Sequence, residues 1–251
     1  MKLSIGQVAP DFTLKSHLDK EITLSSLRGK TVLLASFPMA WTPVCTGQIP
    51  SYQELLPKFE SANIQVLGLS IDHVPCLKAW AESLGGITYP LLSDFWPHGA
   101  VAREYGILRE NGTTERAIFI IDPKGVIQYI DIHDIDERPD IDVIFTELAR
   151  IQNNPSLLPH KTTAADLNNL PKSGVVMYCT SWCPDCKKAR VWLKERNITW
   201  TEVNVTEIPG ASDQLNKWTE GKMITPTFDI GGEIVVDFDV DRLSQVLHVS
   251  G

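Results

Sequence analysis

The sequence predicts an α/β fold in two units, a larger amino-terminal one and a smaller carboxyl-terminal one. Three observations carry this. Apolar runs of strand length alternate with stretches of helical periodicity along the 251 residues, the pattern of sheets covered by helices. One design occurs twice, an apolar strand running into a cysteine-bearing loop and then a helix: Val32–Phe37 leads to Cys45, and Gly174–Tyr178 leads to Cys183 and Cys186. Between these, from Asn153 to Ser173, the periodicity fades into Asn153-Asn154-Pro155-Ser156, Leu158-Pro159 and Asn168-Asn169-Leu170-Pro171, a linker composition. The expected division is residues 1–153, a linker over 154–172 that is helical near Thr163–Asn168, and 173–251.

Composition is that of an ordinary globular chain long enough for a real core. The net charge of −8 argues against nucleic acid or an anionic membrane as partner. No apolar run reaches the roughly 18 residues of a membrane span, and Met1–Gly6 lacks the hydrophobic core of a signal peptide. A cytoplasmic, reducing location is the expectation. Five cysteines there point to catalysis or metal binding before structural bridges.

In the first unit, Ala9–Leu14 and Glu21–Leu24 read as a hairpin and Ser25–Lys30 as a short helical turn. Strand Val32–Phe37 follows, then the loop Pro38-Met39-Ala40-Trp41-Thr42-Pro43-Val44-Cys45 and a helix over Ser51–Leu56. Cys45 thus falls at or near a helix start, where unpaired N–H groups and the helix dipole favour an anion and lower a thiol pKa. Thr42 is placed to hydrogen-bond the sulfur, and Pro38 and Pro43 stiffen the loop. Next come strand Gln65–Ser70, a helix over Pro75–Leu84, the stretch Tyr89–Asp94 and a helix near Gly99–Tyr105. Strands Arg116–Ile121 and Val126–Ile130 flank an Asp122-Pro123-Lys124-Gly125 turn, and Ile141–Gln152 is an amphipathic helix.

The spacing Pro38-x-x-x-Thr42-x-x-Cys45, with Pro-Val-Cys-Thr at 43–46 and the opening Ala9-Pro10-Asp11-Phe12, resembles the peroxiredoxins, thiol peroxidases on a thioredoxin-like fold. It is most similar to their one-cysteine and alkyl-hydroperoxide-reductase-like branches. The resemblance implies a peroxide substrate attacked by Cys45, Arg116 brought over that sulfur, and Gln48 supporting the arginine. It also implies a homo-oligomer, a dimer or larger. Cys76, beside Pro75 at a helix start where its pKa is also expected to fall, is either incidental or a resolving thiol. His73, His98 and His133 read as surface or interface residues, and Trp41 and Trp96 as pocket wall and core.

The second unit reads as strand Gly174–Tyr178, Cys179-Thr180-Ser181-Trp182-Cys183-Pro184-Asp185-Cys186, and a helix over Lys187–Arg196. Strand Thr201–Val205, a helix near Ser212–Glu220, Ile224-Thr225-Pro226-Thr227-Phe228, a Gly231-Gly232 turn, strand Ile234–Val236 and a last helix from about Asp241 complete it. Cys-x-x-Cys after a strand and opening a helix is a thioredoxin-like redox motif. Cys183, nearer the helix start, is expected as the low-pKa nucleophile, and Cys186 as the thiol that resolves the mixed disulfide. Cys179-x3-Cys183-x2-Cys186 also has radical-SAM spacing, but the barrel that such chemistry needs has no room here. Zinc would need a fourth ligand, so no metal is expected. Cys179 is a packing residue or a regulatory thiol.

With Thr225-Pro226 matching a cis-proline loop, this unit is similar to the glutaredoxins, and the chain as a whole resembles a peroxiredoxin–glutaredoxin hybrid of two thioredoxin-like domains. Two departures stand out. Thr180 replaces the lysine that glutathione-using glutaredoxins carry, and Val236-Asp237 replaces their glycine pair. The resemblance implies no bound cofactor and an external thiol or reductase as donor, of the glutathione or thioredoxin-reductase type. Two other readings stay open: a peroxide sensor or holdase, and a general thiol–disulfide oxidoreductase.

Overall fold

The computed structural model describes residues 3–159, 162–181, 183–220 and 224–249. The chain divides into Met1–Pro159 and His160–Gly251.

The first unit is built on β3 (Thr31–Ser36), in which every residue is buried. It pairs parallel with β4 (Ile64–Ser70) and antiparallel with β6 (Arg116–Ile121). β5 (Leu91–Ser93) and β7 (Ile127–His133) close the edges, in the order β5-β4-β3-β6-β7. Side chains alternate across the pleat. Leu33 and Ala35 meet Ile49, Tyr52, Phe59, Trp80, Ile144 and Leu148 on one face. Val32 and Leu34 meet Phe12, Leu14, Leu24, Val101, Ala102 and Tyr105 on the other. The first face is covered by α1 (Pro43–Glu54), α2 (Leu56–Ser61), α3 (Val74–Ser83) and α5 (Ile141–Gln152). The second takes the hairpin of β1 (Thr13–Lys15) and β2 (Glu21–Thr23) together with α4 (Ala100–Glu104).

α1 begins earlier than expected. Thr42 is its N-cap and Pro43 its first residue, a position where proline's fixed φ and missing N–H cost nothing. The helix runs through Gly47 and Pro50, which sequence reading takes for breakers. Cys45 is therefore the third residue of α1, inside its first turn, where backbone N–H groups lack intrahelical acceptors.

The second unit repeats the theme with strand order β11-β10-β8-β9. β8 (Val175–Cys179) lies parallel to β9 (Thr201–Asn204) and antiparallel to β10 (Thr227–Ile230), and β11 (Glu233–Val236) pairs antiparallel with β10. Met177 and Cys179 face α7 (Pro184–Glu195) and α9 (Val240–Leu247). Val176 and Tyr178 face α8 (Ala211–Trp218). The stretch expected as linker carries regular structure. A 3-10 turn over Pro155–Leu157 buries Leu157 in the first unit. α6 (Ala164–Asn169), closed by a Thr163/Asp166 capping box, precedes Leu170 in the core of the second.

Candidate active site

The end of β3 is tied to the start of β6. The Ser36 hydroxyl donates to the Glu115 carbonyl and accepts from Ala117 N, while Thr114 Oγ1 donates to the Phe37 carbonyl at 2.7 Å. Arg116, first residue of β6, is thereby fixed beside the α1 start. Its Nη1 and Nη2 lie 3.5 and 3.6 Å from Cys45 Sγ. Its Nε and Nη2 donate to the Ile135 carbonyl at 3.2 and 2.9 Å, and Nη1 donates to Gln48 Oε1. Cys45 is fully buried, and Arg116 and Gln48 are each 1 % exposed. The guanidinium is thus held by three hydrogen bonds, two to the Ile135 carbonyl and one to Gln48, with its planar fork on the sulfur, the geometry that stabilises negative charge there.

Two further groups of this pocket escaped the sequence reading. The Arg138 guanidinium packs on α1 at Gly47, where a Cβ would stand 2.7 Å from Nη1. Burial and the neighbouring charge of Arg116 hold its pKa below the ordinary arginine value. Tyr52 Oη accepts from Gln48 Nε2 at 3.2 Å. Arg138 lies in the irregular polar stretch between β7 and α5, which has no periodicity to mark it. Tyr52 is one helical turn beyond Gln48, and that spacing is the available signal.

Several expectations need correction. The Thr42 hydroxyl does not reach the sulfur; it donates to the Met39 carbonyl at 3.0 Å and closes the turn before α1. Pro38 sits in the same loop, before the α1 start. Cys76 is not a low-pKa thiol despite its helix-start position. Burial and then the Asp72 carboxylate, 3.8 Å from the sulfur, raise its pKa, and a hydrogen bond from Trp41 offsets only part of this. The N–H of Cys76 is already capped by His73 Nδ1 at 3.0 Å. Trp96 is not core: it is 71 % exposed, and Trp41 is 57 % exposed.

In the second unit, Cys183 is the N-cap of α7 and accepts from Cys186 N at 3.1 Å. Its own thiol lies 3.2 Å from the Thr225 carbonyl, and the Thr225–Pro226 bond is cis. Donation from the Cys186 thiol, aided by backbone N–H groups, outweighs burial and pulls the Cys183 pKa down. The same hydrogen bond and burial drive Cys186 up. Cys183 is 4 % exposed and Cys186 0 %, so Cys183 is the reachable thiol of the pair. Cys179 lies between Arg190 Nη2 and Glu202 Oε2, each 3.6 Å away. Burial and the Glu202 charge push its pKa up to about 12, which fits a packing residue. Among the described residues, no group of three or more His, Cys, Asp or Glu side chains is placed to hold a metal ion.

The AhpC/TSA family model matches residues 5–130. The chain belongs to the AhpC/TSA family. A glutaredoxin model matches residues 175–235 of this same AhpC/TSA chain. Alkyl hydroperoxide reductase E of Mycobacterium tuberculosis is 42 % identical over 132 residues, 52 % of this chain and 86 % of that protein. Peroxiredoxin 2 of Thermoplasma acidophilum is 36 % identical over 156 residues, 60 % of this chain and 77 % of that one. Among solved structures, Enterococcus faecalis AhpC superposes with a TM-score of 0.57 at 29 % identity, covering 61 % of this chain and 94 % of that one. The chain is a peroxiredoxin-type thiol peroxidase with two thioredoxin-like domains, the second glutaredoxin-like. Among the described residues, no helix is long and apolar enough to cross a membrane.

Proposed function

We propose that this chain reduces hydrogen peroxide and alkyl hydroperoxides at Cys45 and carries its own reductant in Cys183 and Cys186. The observation that supports it most is the Arg116 fork, with both terminal nitrogens within 3.6 Å of a buried Cys45 Sγ. The Cys45 sulfur attacks the distal peroxide oxygen and the O–O bond breaks. The sulfur becomes sulfenic acid, and the leaving alkoxide or hydroxide takes a proton. Arg116 faces the charge that moves from sulfur to leaving oxygen. Gln48 and Pro38 support the loop and the guanidinium, and Thr42 holds the turn through Met39.

Cys183, with its lowered pKa, then attacks the sulfenic sulfur, forming a mixed disulfide and releasing water. Cys186 attacks Cys183, frees Cys45 and leaves a Cys183–Cys186 disulfide, with Thr225 and Pro226 beside the nucleophile. Two electrons from an external thiol or reductase reset the pair. The fusion keeps the reductant on the same polypeptide and so raises its effective concentration, within one chain or between copies of an oligomer. Cys76, hydrogen-bonded to Asp72 with a raised pKa, is the weaker candidate for resolving Cys45.

For the donor, Asp237 is informative. Its Oδ1 accepts from Phe238 N at 2.7 Å, at the position where Val236-Asp237 stands in place of the glycine pair of glutathione-using glutaredoxins. This supports a thioredoxin-reductase-type donor, or a low-molecular-weight thiol other than glutathione. The exposed Met39, Trp41, Phe95 and Trp96 support self-association into a dimer or larger, and five free thiols suit a reducing, cytoplasmic setting. Steady-state peroxide consumption by the full chain tests the reading, with thioredoxin reductase compared against glutathione and glutathione reductase. Turnover lost in both Cys45→Ser and Cys183→Ser is expected. Turnover kept in Cys183→Ser contradicts the built-in reductant.

A further inference from the structure

Gln48 is gripped at both ends. Its Oε1 accepts from Arg116 Nη1, and its Nε2 donates to Tyr52 Oη at 3.2 Å. Gln48 and Tyr52 are each 1 % exposed, and they lie four residues apart on α1, so the helix itself sets their spacing. An amide offers one acceptor and two donor hydrogens. Turned so that the acceptor faces the guanidinium, its nitrogen must find an acceptor inside the core, and the Tyr52 hydroxyl supplies one. Burial raises the Tyr52 pKa, so the phenol keeps its proton and remains a neutral partner.

We infer that Tyr52 is a positioning residue for peroxide attack: by accepting from Gln48 Nε2 it holds the amide oxygen on Arg116, and through Arg116 the guanidinium on Cys45. This rests on the roles proposed above for Cys45 and Arg116. Without the hydroxyl, Gln48 keeps a buried donor with no partner, a penalty comparable to the hydrogen bond lost. The side chain turns to relieve it, and Arg116 loses the anchor on Nη1 while the Ile135 carbonyl still holds Nε and Nη2.

A double-mutant cycle in the full chain tests this, with Tyr52→Phe and the similarly sized Gln48→Met, singly and together. The readout is the second-order rate of Cys45 oxidation by hydrogen peroxide, with the sulfenic acid located by trapping and mass spectrometry. Each single change slows oxidation about five- to tenfold, the effect of losing one buried hydrogen bond. The double variant is no more than about twofold slower than Gln48→Met alone. Losses that multiply show that Tyr52 only packs, and overturn the inference. So does a Tyr52→Phe rate equal to wild type. Sulfenic acid trapped elsewhere than Cys45 in the unmutated chain overturns the underlying site instead, which the mass spectrum distinguishes from the other results.

Discussion

Replacing Arg116 is the sharpest perturbation of the first site. At 3.5 Å from Nη1 to Sγ, Coulomb's law with an effective dielectric near 20 gives about 5 kcal/mol between unit charges. Only the charge redistributed during attack counts toward rate, so the expected loss is that of one preorganised donor, about 10²–10³. Arg116→Met removes the charge and all three anchors, and should cost that full factor. Arg116→Lys keeps the charge but cannot span Sγ, Gln48 Oε1 and the Ile135 carbonyl together, so it should recover only part. Stopped-flow oxidation with hydrogen peroxide in single turnover gives the rate constant. Reduction of the Cys183–Cys186 disulfide serves as control and should not change. An Arg116→Met rate within a few-fold of wild type would show that charge stabilisation at this sulfur comes from somewhere else.

Other outcomes follow from the same geometry. Gly47→Ala drives a methyl to within 2.7 Å of Arg138 Nη1; the guanidinium must move, and oxidation of Cys45 should slow several-fold while the melting temperature barely shifts. The Cys183 pKa is lowered chiefly by the Cys186 thiol, so Cys186→Ala should move the half-point of Cys183 alkylation up toward the ordinary thiol range near pH 8.5; an unchanged half-point contradicts that cause. His17 is buried, with Nδ1 accepting from Leu91 N and Nε2 on the Ile87 carbonyl, and burial lowers its pKa from 6.5. The unfolded histidine takes up a proton near pH 6.5 and the folded one only at lower pH, so the stability it contributes is complete above that value and falls as pH drops through it. Hydrogen-exchange protection at the Leu91 amide should therefore weaken as the pH falls below 6.5, and a pH-independent protection factor would refute the neutral His17 bridge.

Much of this architecture is legible in the sequence where local and global signals agree. β3 and β6 are apolar runs, and they are buried throughout. α5 runs over the expected Ile141–Gln152, opened by the Asp140 side chain on Asp142 N. The cysteines are legible because thiolate chemistry needs a strand end and a helix start, both of which the sequence marks. The start of α1 was obscured by Pro43, Gly47 and Pro50, residues that break helices in general but are tolerated here. β5 is three residues long and follows Pro90, too short to show a period. Side-chain direction is a matter of rotamer and packing. That is why the Thr42 hydroxyl turns to Met39, why burial and then Asp72, rather than the helix start, set the Cys76 thiol, and why Trp41 and Trp96 stand exposed. Arg138 reaches the pocket only through tertiary folding, whereas Tyr52 is brought to Gln48 by the turn of α1.

The central claim is an order of events, peroxide to Cys45 and then electrons from Cys183 and Cys186. One peroxide equivalent added to the fully reduced chain, quenched over time and mapped by mass spectrometry, tests it directly. Sulfenic acid at Cys45 should appear first and decay as a Cys45–Cys183 mixed disulfide and then the Cys183–Cys186 disulfide rise. In Cys45→Ser the Cys183–Cys186 disulfide should not form on that timescale. Its formation there at the wild-type rate would contradict the account.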